Sequence, residues 1–281
     1  MAPQLTIASP VIAEGVGLHT GEKCAIRIRP ANEPHGVRFL VGEGRITIPA
    51  NTQSVGQWKR QIALVADSGS VGMVEHLLAA LAGMGILHAV IEVSGPEVPA
   101  LDGSALPFVE LIEQAGTRAL GEPAPRRKIP SPIVVENGQA RLSAHPADRY
   151  TISVTVQFPD VGEQKLSLEM TPEAFKKEVA PARTFGFAEE AGAILASGLA
   201  AGASLENVIL VDRGEYSAPL RFPDELVRHK MLDLIGDLSL AGMPFDAHIE
   251  ALRPGHRINV QLASAMASAL AAKPEEALGH G

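Results

Sequence analysis

His229 and Asp233, in Arg228-His229-Lys230-Met231-Leu232-Asp233, stand four apart in a segment that reads as a helix. That interval puts an imidazole and a carboxylate on one helical face, one turn apart. Such a pair suits a divalent metal, and zinc takes histidine nitrogen and carboxylate oxygen. Upstream, Val74-Glu75-His76-Leu77-Leu78 supplies another imidazole beside a free carboxylate. His76, His229 and Asp233 would make a three-ligand site with its fourth position open, as in catalytic rather than structural zinc sites. A His-x3-Asp pair alone is more often a surface hydrogen bond. Glu75 also suits the positive end of a helix, and His76 could be a packed core imidazole.

Further candidates sit around these. His256, in Arg253-Pro254-Gly255-His256-Arg257, is expected on a turn just before a helix, where an ordinary pKa of about 6.5 suits a general acid. Asp237 falls one turn after Asp233 and could orient a cationic His256 by hydrogen bond. In Arg183-Thr184-Phe185-Gly186-Phe187, the Thr184 hydroxyl could donate to a developing oxyanion and Phe185 could stack on a flat base or sugar face. The bland alternatives are a solvent-exposed loop histidine, an exposed helical aspartate and a strand end with buried phenylalanine. The glycines of 15–21 do not match a phosphate loop and read as a tight hairpin turn. Asp102 and Ser104 read as caps of a following helix.

The elements that must position these groups are legible in the hydrophobic period. Apolar alternation predicts strands over 24–29, 89–93, 133–135 and 150–156, and helical periodicity predicts helices over 71–83, 224–241 and 259–272. Four prolines and a basic cluster in 121–132 break the pattern, so the domains are expected to be 1–124 and 125–281. Val-x-His opens a long helix in each half and Ala-Gly-Met ends it, which hints at duplication. Two similar α+β halves would then meet with helices inward, bringing His76 towards His229.

Composition narrows the function classes. The chain has 281 residues, is 46% hydrophobic and carries a formal charge of −8. That charge opposes broad nucleic-acid binding, which needs a basic surface. Cys24 is the single cysteine, so any metal must be held by histidine and carboxylate. No stretch has the length of a membrane span, and the first residues lack the features of a signal peptide. A cytoplasmic monomer is the expectation, with the tail after Lys273 frayed.

Taken together, the segments 15–21 (GVGLHTG), 74–81 (VEHLLAAL), 97–105 (EVPALDGSA), 182–187 (ARTFGF) and 220–238 (LRFPDELVRHKMLDLIGDL), followed by Gly255-His256 and Asn259, resemble the zinc-dependent UDP-3-O-acyl-N-acetylglucosamine deacetylases of lipid A biosynthesis. The matches keep the family's order across most of the chain. The resemblance implies an α+β fold of two similar α/β-sandwich domains, with helices packed between two sheets. It implies zinc on His76, His229 and Asp233, although such a set also accepts iron(II) or cobalt(II). Glu75 corresponds to the general base, Thr184 to an oxyanion donor, and His256, backed by Asp237, to the cation that protonates the leaving amine. Lys230 and Phe185 match positions near the sugar nucleotide. Lys230, Arg183 and Arg253 would offset the net negative charge near its diphosphate. Segment 188–205 falls where the family holds the acyl chain in an apolar passage. The implied partner is the UDP-linked acylated amino sugar.

Some positions depart from the family pattern: Met73 for Thr, Leu87-His88 for an Asn-containing pair, Trp58-Lys59-Arg60-Gln61 in a segment of small residues, Arg253 for Lys, and a short loop at 212–219. These bear on acyl length, affinity and rate rather than on reaction class. Two other readings stay open on residues alone: a metal-dependent deacylase of another acylated amino sugar, and a binder without turnover.

Overall fold

The structure is a computed structural model and describes residues 3–43, 45–56, 60–123 and 126–271. Trp58-Lys59, the expected domain join at 124/125 and the tail from 272 lie outside the described residues.

Alternating burial builds the first sheet. In β2 (Lys23–Pro30), Cys24, Ile26 and Ile28 face inward while Arg27 and Arg29 face solvent. Around it lie β1 (Val11–Val16), β3 (Val37–Val41), β4 (Ile46–Pro49) and β5 (Ala89–Ser94), in the order β1-β2-β5-β3-β4. All neighbours are antiparallel except β5 and β3, which run parallel. The second sheet takes β6 (Ile133–Asn137), β7 (Ala140–Pro146), β8 (Thr151–Phe158) and β9 (Gly162–Glu169). A small sheet then interrupts, of β10 (Phe185–Phe187), β11 (Ile209–Asp212) and β12 (Glu215–Tyr216), before β13 (Phe245–Leu252) completes the second. Along its main path the order is β6-β7-β13-β8-β9, again antiparallel except for β13 and β8, and a sixth short strand, Arg127–Lys128, pairs parallel with β13 off that path. Five strands of the second sheet therefore repeat the topology of the first.

A parallel pair needs a crossover, and each half supplies a helix there. They are α1 (Glu75–Gly83), between β4 and β5, and α4 (Glu225–Ser239), between β9 and β13. Each half then adds a second helix, α2 (Leu106–Ala115) and α5 (His256–Ala271), while α3 (Ala188–Ala196) belongs to the small sheet. Helices α1 and α4 pack on each other, so one apolar core runs from Ile28 and Phe39 through Leu77, Leu81, Leu232 and Leu238 to Ile152 and Ile249. The expected α+β architecture, with helices between two sheets, is the one observed.

Gly236 sets how closely the two central helices approach. A Cβ there would lie 2.2 Å from the carbonyl oxygen of Glu75. Gly236→Ala should therefore push α4 off α1 and lower stability by about 1–3 kcal/mol, the usual range for overpacking. Denaturant unfolding measures this, and an unchanged midpoint would contradict the close crossing.

Helix boundaries differ from expectation at two starts. Helix α1 begins at Glu75 rather than 71, because Val71 is in the strand Gly69–Val71 and Met73 takes φ 56°. Helix α5 begins at His256 rather than 259: Gly255 O already accepts from Asn259 N at 2.9 Å, and Asn259 Oδ1 accepts from Gly255 N at 3.2 Å. His256 is thus in the first helical turn, not on a turn before it. The 15–21 segment is the expected hairpin turn, with Gly21 N donating to Gly17 O at 3.0 Å. Asp102 and Ser104 brace the start of α2: Ser104 Oγ accepts from Leu106 N at 3.2 Å and donates to Asp102 Oδ1 at 2.8 Å. Among the described residues, no helix is long and apolar enough to cross a membrane.

Candidate metal centre

Placing His229 and Asp233 on α4 and His76 on α1 brings three donors together at the helix crossing. All three side chains are buried, and one ligand atom from each lies within 4.8 Å of the others. Asp233 Oδ1 is 3.3 Å from His229 Nε2 and 3.7 Å from His76 Nε2. The imidazoles meet edge to face with centroids 5.0 Å apart. His229 Nδ1 donates to Ala182 O at 3.1 Å, which leaves the Nε2 lone pair turned towards Asp233. Burial pushes the His229 pKa down to about 4, so the ring is neutral, as ligation requires. Burial works against the charge of Asp233, but Lys230 and His229 hold its carboxyl well below the usual range. Lys230 Nζ donates to Asp233 Oδ2 at 2.8 Å. Two imidazoles, that of His229 neutral, and an ionised carboxylate, converging in a buried pocket, are a donor set that fits zinc.

Glu75 and His256 face each other beside this triad. Glu75 Oε1 is 3.6 Å from His256 Nε2, while Oε2 accepts from Ile62 N at 3.2 Å. Burial raises the Glu75 pKa to about 7, against the pull of His256 and His76. His256 Nδ1 donates to Asp237 Oδ2 at 2.9 Å, and Asn259 Nδ2 donates to the same oxygen at 2.8 Å. Burial opposes a charge on His256, but the charge and hydrogen bond of Asp237, with Glu75 and Asp233, outweigh it and push the pKa up to about 10. The pair is therefore a carboxyl near neutrality against an imidazolium, suited to divided proton transfer.

The other sequence candidates fall around this core. Phe185 packs edge-on to His229 with centroids 5.9 Å apart, and Lys230 Nζ lies 5.4 Å from the Phe185 centroid. Thr184 is held by its backbone, Thr184 N donating to Gly103 O at 2.8 Å and Thr184 O accepting from Ile209 N at 2.9 Å. Arg253 is exposed and lines a cavity of about 320 Å³ with His256, Arg60, Gln61 and Arg257. Arg183 departs from expectation: its guanidinium is bound to Glu225 at 2.9 and 3.1 Å and to Pro219 O at 2.8 Å, so it is not a free cation for a ligand. His19 N and Thr20 N both donate to Glu97, at 3.0 and 2.9 Å, which fixes the hairpin turn, and His19 Nδ1 accepts from Ala200 N at 3.3 Å.

Sequence reasoning missed Arg60 and Arg257 in the cavity, Glu97 as the clamp of the turn, and the buried Glu225. Both arginines stood in quoted segments, Arg60 in 58–61 and Arg257 in 253–257, but were given no role there. Glu97 and Glu225 each stood inside a quoted motif, but only the fold shows what their carboxylates accept.

The profile described as UDP-3-O-acyl N-acetylglycosamine deacetylase matches residues 4–268. A UDP-3-O-acyl-N-acetylglucosamine deacetylase of Thermosynechococcus vestitus is 44% identical over 269 residues, 94% of this chain and 94% of that protein. A protein of the same name from Syntrophotalea carbinolica is 39% identical over 268 residues, covering 93% and 87%. Another from Phenylobacterium zucineum is 39% identical over 284 residues, covering 97% and 94%.

Proposed function

The chain belongs to the UDP-3-O-acyl-N-acetylglucosamine deacetylase family, and from that premise we propose a zinc-dependent hydrolysis of the acetamide of UDP-3-O-((R)-3-hydroxyacyl)-N-acetylglucosamine to acetate and the free amine, in lipid A biosynthesis. The observation that carries the zinc assignment is the convergence of His76, His229 and Asp233 beside the facing Glu75 and His256. Bound there, zinc supplies Lewis acidity towards the amide carbonyl and lowers the pKa of an attacking water; iron(II) would serve the same donors.

The chain's own residues divide the remaining work. Glu75, ionised, accepts a proton from the attacking water at a carboxylate oxygen. Thr184 donates its hydroxyl hydrogen to the oxygen that gains charge in the tetrahedral transition state. His256 enters as imidazolium, stabilises that charge and gives its Nε2 proton to the departing nitrogen. Asp237 holds Nδ1–H and keeps the ring charged. Lys230 and Phe185 face the sugar nucleotide, and Arg253, in the cavity beside His256, faces its diphosphate. Helix α3 has no buried residue, and Leu195 is exposed, which suits a wall for the acyl chain. We assign the same two domains, 1–124 and 125–281, and a cytoplasmic monomer acting on this substrate.

Acetate release from the purified protein tests the reading, measured before chelation, after chelation and after zinc is restored. Activity should vanish and return. A folded, zinc-replete protein without turnover would reject the substrate or the activity, and turnover of analogues lacking UDP or the acyl chain would favour a broader deacylase. His229→Ala should cost the protein its zinc on gel filtration, read by elemental analysis. Zinc retained at one equivalent would break the proposed triad.

A further inference from the structure

Glu225 is fully buried at the start of α4, yet none of the proposed chemical steps uses it. Its carboxylate accepts from Arg183 N at 3.0 Å through Oε1 and from Arg221 N at 2.6 Å through Oε2. The Arg183 side chain adds bonds from Nε at 2.9 Å and Nη2 at 3.1 Å. Burial opposes its ionisation, but the Arg183 side chain and the two backbone N–H groups hold its carboxyl below the usual range.

The amide N–H of Arg183 and the carbonyl of Ala182 are one peptide group. Its carbonyl oxygen accepts from His229 Nδ1 at 3.1 Å. A continuous line therefore runs from the Glu225 carboxylate, through N–H and C=O of one peptide, to Nδ1–H of a metal-ligand imidazole. Glu225 and His229 are one turn apart on the same face of α4, with that peptide laid between them. Residues 181–183 are held from the far side as well: Arg221 donates to Pro181 O at 2.8 Å and to Asp102 Oδ2 at 2.8 Å.

We propose that Glu225 is a positioning residue that tunes His229 as a ligand through the Ala182–Arg183 peptide. A carboxylate accepting from the N–H polarises the amide, which deepens the negative charge on its carbonyl oxygen. That oxygen holds Nδ1–H more firmly, fixes the tautomer with Nε2 free, and makes Nε2 the more basic donor. Carboxylates commonly act on metal-bound histidines by direct hydrogen bond; here the effect passes through a backbone amide. The inference rests on the zinc assignment above.

Chelator-competition titration of zinc, with ring ¹⁵N NMR of the metal-free protein, tests it. Glu225→Gln removes the charge at nearly constant shape, and the zinc dissociation constant should rise about 10-fold, as for loss of other outer-shell partners. Arg183→Lys keeps a cation beside the Glu225 carboxylate, so the carboxylate stays ionised and the peptide stays in place, while the Nη2 bonds to Glu225 and Pro219 are lost. Its zinc affinity should equal that of the wild type. A merely structural Arg183–Glu225 pair predicts equal loss in both variants, and that result overturns the proposal, as does an unchanged dissociation constant in folded Glu225→Gln. In the metal-free wild type, His229 should carry its proton on Nδ1; the Nε2–H tautomer overturns the relay even if Glu225→Gln does not fold. Failure of the wild type to bind zinc would instead sink the zinc assignment, while the tautomer still reports on the relay.

Discussion

On the proposed mechanism, Glu75→Gln should fold, bind zinc as the wild type does and lose turnover by about 10²–10⁴-fold, the usual contribution of a positioned general base. Glutamine keeps the shape and can still accept from Ile62 N, the contact that seats the side chain. It cannot take a proton from water. The pH profile gives a second, independent readout. Burial lifts the Glu75 pKa to about 7 while His256 and His76 pull it back, and a cation in the triad adds to that pull. A general base at Glu75 would work ionised, so activity should rise with pH through a limb at or below about 7. That limb should be absent from whatever activity Glu75→Gln retains. Zinc content by elemental analysis, with kcat/KM across pH, decides the matter. A variant within 10-fold of wild type would remove Glu75 as the base.

Much of this centre was legible because it sits on long, strongly periodic elements. The His229 to Asp233 interval fixes one face of α4 whatever the rest of the chain does, and the Val-x-His repeat anticipated two topologically equal halves with α1 against α4. What the period could not supply was the boundary. The start of α1 depends on Val71 pairing in a small strand and on Met73 at positive φ, neither of which leaves an apolar signature. The start of α5 depends on a side-chain contact from Asn259 back to Gly255, and that shift carried His256 from a loop into a helix. The small sheet β10–β12 was unreadable for a related reason. Its strands are two to four residues long, too short for alternation to emerge, and its cohesion comes from the distant Phe158 and Leu226. Arg183 shows the limit most clearly. A basic residue beside a site motif invites a ligand-binding role, but it is committed to Glu225, 42 positions away.

His256→Gln should likewise cut turnover by about 10²–10⁴-fold while leaving zinc binding unchanged, since the ring is not one of the three proposed metal donors. The more discriminating variant is Asp237→Asn. Burial alone would drive the His256 ring towards neutrality, and the charge and hydrogen bond of Asp237 are the largest effects opposing it, with the pKa standing at about 10 as a result. An acid that must be protonated fails as pH rises through its pKa, so the alkaline limb of the wild-type profile should lie towards that value. Neutralising Asp237 removes the main support of the cation, and the limb should fall towards or below the ordinary histidine value of about 6.5. The working range between the Glu75 and His256 limbs would then close, leaving little activity at any pH. The sign for stability follows from the same shift. The folded pKa of His256 is raised, so its pairing contributes fully below the unfolded value, and the contribution is lost as pH rises through about 10. Asp237→Asn should therefore lower the unfolding midpoint most below pH 6.5 and progressively less towards pH 10. Paired kcat/KM and denaturation series across pH measure both. An alkaline limb unmoved in folded Asp237→Asn would mean that another group supplies the proton to the leaving amine.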